Sequence, residues 1–223
     1  MSIFAGKDPI WTARRGSVSA GLVGHWDSMA MSAADRMGNI LYDISGNNNH
    51  GTLTNGARFE NRGINFGVSA TCSLNSQISL TSDFTFCMFL MFTSYIDTGP
   101  NNHQYFFTTP SLSFGYCLMR LDQALYLRTE SGFIGFGFPT VNLNEWFYLT
   151  IIRSGSSVEY FRNTAKSGST LTLGGATYIN NIDSINSHSN NTCNYQDIRI
   201  YNRALSQSEI TRIFNATRAR FGV

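Results

Sequence analysis

Charge is scarce in this chain. Asp, Glu, Lys and Arg make up only 13% of its 223 residues, and 16 basic against 14 acidic side chains leave a net +2. Arginines pair up only at Arg14-Arg15 and Arg218-Ala219-Arg220, so the basic stripe of a nucleic-acid-binding surface is missing and no nucleic-acid partner is expected. Long apolar runs are missing too. Phe84 to Phe92 is the longest, Thr85 and Cys87 interrupt it, and it falls far short of the roughly 20 residues that cross a bilayer. No membrane association is expected. Met1 to Pro9 carries no apolar core of a secretory signal, so none is read there, and export would need another route. The 4 cysteines, Cys72, Cys87, Cys117 and Cys193, show no C-x-x-C spacing, which argues against a zinc site or a redox pair and for buried thiols.

What is present suits a packed core: 42% of residues are hydrophobic and 13% aromatic, which excludes disorder and fits one large all-β domain or two small ones. Short β-rich runs alternate with Gly, Asn, Asp and Ser clusters, the pattern of an antiparallel sandwich or jelly roll. Leu22 to Trp26 opens the series. Gly51 to Leu53, Arg58-Phe59 and Ile64 to Phe66 follow, separated by Asn55-Gly56 and Asn61-Arg62-Gly63, which read as hairpin turns. Phe84 to Phe92 has apolar residues at Phe84, Phe86, Met88, Leu90 and Phe92 and only mildly polar ones between, so both its faces should be covered and the strand should be central. Phe114 to Leu121, Ala124 to Arg128, Gly132 to Phe138, Glu145 to Arg153, Val158 to Phe161 and Asp197 to Tyr201 complete the series, with Ile198 and Ile200 facing the core.

One helix is expected. Ser206-Gln207-Ser208-Glu209 is a capping box, with Leu205 and Ile210 as a hydrophobic staple. Ile210, Ile213, Phe214 and Thr217 then recur at helical spacing, so Arg212, Asn215 and Arg218 should face solvent. Residues 1–20 show no partner strand and read as an arm, and residues 21–223 read as one sandwich domain that includes the capped helix over 206–220. Phe4, Ile10 and Trp11 lie outside the sandwich pattern beside Arg14 and Arg15, which marks the arm as a docking element.

Three stretches together resemble the concanavalin A-like lectin/glucanase superfamily in its laminin-G-like, pentraxin-like branch. They are Leu22 to Trp26 with Tyr42 to Leu53 (D-x-S-G-N-x-N-x-G-T-L), Asp83 to Phe86 with Asn144 to Thr150 and Val158 to Phe161, and Asp197 to Ile210. The resemblance implies an antiparallel jelly-roll sandwich with one short C-terminal helix. Arg162-Asn163-Thr164 replaces the family's usual Asp-Gly turn, so that hairpin should differ. The ending Phe214 to Gly222 resembles laminin-G-like structural proteins of tailed bacteriophages.

The family's glucanases carry paired carboxylates on an E-x-D-x-x-E strand, and glycoside hydrolysis needs two carboxyls roughly 5 to 10 Å apart. No such strand occurs: Glu60, Glu130, Glu145, Glu159 and Glu209 are isolated. His25, His50, His103 and His188 have no nucleophile motif beside them. Hydrolase activity is therefore not expected. Asp43, Asn47 and Asn49 could ligate a structural calcium ion, which the resemblance implies for some members, or could close an Asx-rich turn on their own backbone. Tyr95, Asp97, Asn101, Asn102, His103 and Tyr105 combine aromatic rings with polar groups in what reads as a long loop, a candidate glycan-binding rim. A second rim would hold Asn180, Asn181, Asn186, Asn190, Asn191 and Asn194.

The function expected from these features is a non-enzymatic virion structural protein, a capsid decoration or fibre-like module. It would assemble in the host cytoplasm, dock on other virion proteins through its arm, and touch host-surface glycans. A homo-oligomer stays open. The alternative is a secreted or cell-surface carbohydrate-binding protein of a bacterium.

Overall fold

A computed structural model describes residues 18–60, 62–80, 83–94, 103–108, 117–120, 124–129, 132–137, 141–173, 181–185 and 192–223. Two eight-stranded antiparallel sheets face each other. From edge to edge the first contains β14 (Ala165–Thr172), β13 (Ser157–Arg162), β12 (Phe147–Ser154), β7 (Phe84–Ser94), β16 (Thr192–Tyr201), β5 (Gly63–Phe66) and β4 (Arg58–Glu60), and β1 (Leu22–Trp26) pairs with the second half of β16. The other sheet runs β11 (Gly132–Gly137), β10 (Ala124–Thr129), β9 (Cys117–Arg120), β8 (His103–Thr108), β15 (Asn181–Ile185), β6 (Thr71–Ser79), β3 (Gly51–Thr54) and β2 (Ile40–Leu41). Among the described residues no helix is long and apolar enough to cross a membrane.

β7 is central, as its two-sided apolar sequence predicts. Its inward residues Phe84, Phe86, Met88, Leu90 and Phe92 join Leu53, Cys72, Ile78, Phe107, Ile182 and Ile185 of the facing sheet in the main core. Phe86 stacks between Phe84 at 4.7 Å and Phe107 at 4.5 Å. The alternate residues Cys87 and Phe89 point outward and are buried all the same, in a second cluster beneath the C-terminal segment. Cys72, Cys87 and Cys193 are buried thiols outside any disulfide. Burial pushes Cys72 up to about 12 and Cys87 up to about 11, which makes them unreactive.

The second cluster exists because of the helix α1 (Gln207–Thr217), whose buried face is Ile210, Ile213, Phe214 and Thr217. Ser206 is its N-cap, and both halves of the capping box form: Ser206 Oγ accepts from the Glu209 amide, and Glu209 Oε2 accepts from the Ser206 amide at 2.9 Å. Arg203 grips the same carboxylate with both terminal nitrogens, at 3.0 and 2.6 Å, and holds its pKa down at about 2. Thr85 ties the helix start to β7, its hydroxyl donating to the Arg203 carbonyl at 2.8 Å and accepting from the Leu205 amide at 2.9 Å. Ser206→Ala should cost about 0.5 to 2 kcal/mol in chemical denaturation. Beyond the helix, Phe221 stacks on Phe89 at 4.0 Å and meets Trp146 at 4.9 Å. Val18 is buried in this cluster as well.

Several sequence expectations change here. Asn55 and Gly56 both have positive φ, 53° and 86°, as a tight turn of the hairpin type needs. Yet β3 and β4 lie in different sheets, so this turn carries the chain across the sandwich; of the two, the second is the hairpin, with Glu60 of β4 opposite Gly63 of β5, while Asn61 lies outside the described residues. The long loop expected after β7 contains the strand β8, which holds His103 and Tyr105. β6, β14 and β15 escape the period-two reading because Ser, Thr and Asn fill so many of their positions. Asn163 replaces the family's Asp-Gly turn by taking φ 58° itself, while its side-chain oxygen accepts from the Tyr148 amide at 3.0 Å.

Candidate functional site

At the β4 edge of the first sheet lies a shallow, open groove of about 510 Å³ lined by Phe59, Glu60, Arg62 and Asn194. Each element contributes for a local reason. Phe59 follows the inward period of β4 and backs onto the main core, so its ring is held in place. Glu60 Oε1 accepts from Arg58 Nη2, two residues away on the strand, at 2.7 Å. Asn194 on β16 is buried, and its Oδ1 accepts from Asn65 Nδ2 on β5 at 2.9 Å, which leaves its own amide N–H groups for the groove. Gly63 lets β5 lie so close: a Cβ there would sit 2.8 Å from the Tyr195 carbonyl oxygen and 3.2 Å from the Trp146 indole. Arg62, exposed in the hairpin turn, has neither a hydrogen bond nor an ion pair among the described residues.

A second constellation is buried. β16 bulges between Gln196 and Arg199, and Asp197 takes φ 49° there, a left-handed conformation that Asp tolerates better than most residues. The bulge buries Asp197 against Arg199, whose Nε and Nη2 donate to its two oxygens at 2.9 and 3.1 Å, and against His25 Nε2 at 2.7 Å. Gln196 bridges to Ser28, accepting from its amide and donating to its hydroxyl, both at 2.9 Å. Asp27 lies beside them, gripped by Arg220 Nη1 and Nη2 at 2.9 and 2.8 Å. Burial by itself would raise the pKa of Asp197, but the Arg199 guanidinium, helped by His25, outweighs it and holds the carboxyl well below the usual range.

His25, Asp27 and Asp197 each place a ligand atom within 4.8 Å of the others, a separation that could suit a metal ion or a carboxylate pair. The charge balance points elsewhere. Each carboxylate is already neutralised by a two-point arginine contact, the strongest hydrogen-bonding arrangement open to it. A cation or an acid/base role would require leaving a buried guanidinium unpaired, so the cluster is a structural lock joining β1, β16 and the C-terminus. Among the described residues the hydroxyls of Tyr148, Thr150 and Tyr201 are buried without a well-formed hydrogen bond, their contacts being the weak Cys87 thiol for the first two and the Arg199 guanidinium for Tyr201. Tyr148→Phe should therefore leave stability unchanged or slightly raised, within about 1 kcal/mol by urea titration.

The glycan rim read from the sequence divides. Tyr95, Asp97, Asn101 and Asn102 lie outside the described residues, and His103 and Tyr105 belong to β8, Tyr105 half-buried. In the second rim Asn181 is exposed on β15 and Asn194 belongs to the groove. Asn180, Asn186, Asn190 and Asn191, like the arm residues Phe4, Ile10, Trp11, Arg14 and Arg15, lie outside the described residues. Asp43, Asn47 and Asn49 do come together, in the manner of an Asx-rich turn. Asp43 Oδ1 accepts from the His25 and Ser45 amides, and Oδ2 from Ser45 Oγ and the Asn49 amide, all at 2.9 Å. Those four bonds use the whole capacity of a carboxylate. Asn47 and Asn49 donate to the Leu22 and Val23 carbonyls at 3.1 and 2.8 Å, so these residues fasten β1. Other glutamates are also engaged: Glu145 with Asn142, Glu159 with Lys166 and Glu209 in the cap.

The groove itself was not read from the sequence. It arises only when β5 and β16, far apart in the chain, are paired through Asn65 and Asn194.

Two antiparallel sheets, an Asx-rich turn fastening the opening strand and a capped helix on the outer face define a jelly-roll lectin-like sandwich. The chain belongs to the concanavalin A-like lectin/glucanases superfamily, whose laminin-G-like family model matches residues 66–211. No curated protein sequence matches it. Solved structures with the same fold include the binding domain of botulinum neurotoxin serotype D, at TM-score 0.69 and 12% identity over 91% of this chain. The serotype D ligand-binding domain in complex with N-acetylneuraminic acid aligns at TM-score 0.65 and 14% identity over 88% of the chain. Trypanosoma rangeli sialidase aligns at TM-score 0.63 and 14% identity over 89% of this chain and 33% of its own. The chain spans about half of the neurotoxin domains, 52% and 51% of them respectively. At these identities the likeness is one of fold.

Proposed function

We propose that this protein is a non-enzymatic lectin-like module, a virion structural protein of the capsid-decoration or fibre type, that contacts host-surface glycans through the groove at the β4 edge. The observation that carries the reading is the groove's make-up: an aromatic ring fixed by the core, a buried amide with free N–H groups and an exposed guanidinium, the combination by which proteins hold ring-and-hydroxyl ligands. The clamping of Asp27 and Asp197 by arginines supports recognition without hydrolysis. The neurotoxin binding domains and the complex with N-acetylneuraminic acid support a receptor-facing role for such a sandwich. The virion setting rests on the sequence of residues 214–222, and residues 1–20 would dock the module on other virion proteins.

The purified chain on an immobilised glycan array should retain at least one glycan class and release no free sugar from it. Absence of binding to every glycan, or turnover of one, would overturn the lectin reading. Mass spectrometry of purified particles should find the chain in the virion, and deletion of residues 1–16 should abolish that incorporation while leaving a folded sandwich. A chain found only in culture fluid, or a deletion that still assembles, would remove the virion assignment and favour a secreted carbohydrate-binding protein.

A further inference from the structure

We infer that the groove selects anionic glycans, those bearing a carboxylate or a sulfate, and that Arg62 is the residue that makes the selection. This rests on the groove being the glycan site. Of the charges at the groove, Glu60 is cancelled by Arg58 across 2.7 Å, so the Arg62 guanidinium is what remains uncompensated. Asn194 adds donors to that charge, because it lines the groove with its side-chain oxygen already taken by Asn65, so that its N–H groups are what it has left to offer a ligand. A site of one cation and amide donors, with its single acid already neutralised, favours a ligand that accepts hydrogen bonds and carries negative charge. Guanidinium suits this role through its fork of parallel N–H groups, which matches the two oxygens of a carboxylate or sulfate. The placement keeps the cost low. Arg62 sits in the hairpin between Glu60 and Gly63 and is exposed, so the charge stays hydrated until a ligand arrives, while Asn194, which lines the same groove, is fixed by its bond to Asn65.

The test compares oligosaccharides of equal length that are neutral, carboxylated or sulfated, binding to the full chain measured by calorimetry. The anionic ligands should bind roughly tenfold more tightly than the neutral one, the size expected of one charge-assisted contact. That advantage should shrink as salt rises from 50 to 500 mM, because exposed charges are screened over about 10 Å at 0.1 M. Arg62→Gln should erase the advantage while the melting temperature stays unchanged, since its side chain is exposed and makes no hydrogen bond or ion pair among the described residues. Glu60→Gln should raise affinity for the anionic ligands by removing the one acid in the groove. Neutral and anionic ligands binding equally, or Arg62→Gln keeping the preference, would overturn the inference while the glycan-binding reading stands. Absence of binding to all three classes by the wild-type chain would overturn both.

Discussion

Asp197→Ala is expected to lower the stability of the sandwich by about 3 to 5 kcal/mol, because it leaves the Arg199 guanidinium buried, 4% exposed, without its counter-charge. For a chain of this length that corresponds to a fall of roughly 10 °C in melting temperature. The double change Asp197→Leu with Arg199→Met removes both charges together and should recover most of the loss, since a buried ion pair is often replaceable by apolar residues of like size. The pH dependence follows from the depressed pKa of Asp197. Its contribution is complete above the unfolded carboxyl value of about 3.9 and is lost as pH falls below that toward the lower folded value. Acid titration followed by circular dichroism should show this extra loss in the wild type and its absence in Asp197→Leu/Arg199→Met. An unchanged melting temperature for Asp197→Ala would mean that Arg199 finds water or another partner.

Trp26→Ala should be comparably damaging, at about 3 to 5 kcal/mol. The indole is fully buried at the end of β1, and its ring lies over Gly24, where any Cβ would collide with it. Its Nε1 donates to the Asn49 carbonyl at 2.8 Å, so the same side chain packs the core and fastens the Asx-rich turn. Trp26→Phe separates the two roles: it keeps most of the apolar contact and loses the hydrogen bond, and should cost less than the alanine change. Equal losses in both variants, measured by urea denaturation, would show that the hydrogen bond and not the packing is what Trp26 supplies.

The parts of the fold legible in the sequence are those whose cause is local. The period of Phe84 to Phe92 places β7 at the centre because its outward residues Cys87 and Phe89 have nowhere polar to go. Ser206 and Glu209 specify the helix start because the capping box closes within four residues. What escapes is set by partners distant in the chain. The buried Asp197 and Arg199 look like the solvent face of an edge strand until the bulge, His25 and the C-terminal segment enclose them. β6 and β15 pair with each other through Ser79 and Asn181, where hydroxyl and amide side chains occupy positions that apolar residues would have announced. The groove is invisible for the same reason, since Phe59, Glu60 and Arg62 read as an ordinary hairpin until Asn194 is laid beside Asn65.

The position of β16 governs the order in which this molecule can form. It pairs with β7 along one side and with β5 and β1 along the other, so among the described strands it alone bridges the early strands of the first sheet and its middle. Yet among the described strands it comes last in sequence, at Thr192–Tyr201. During synthesis β1, β4 and β5 must wait, unattached to β7, until Thr192–Tyr201 has been made, and closing such distant pairings is slow, on the order of milliseconds to seconds. The first sheet closes only once Thr192–Tyr201 has been made, and a nascent chain halted before residue 192 would hold it in three unjoined pieces: β1, the β4–β5 pair, and β7 with β12, β13 and β14.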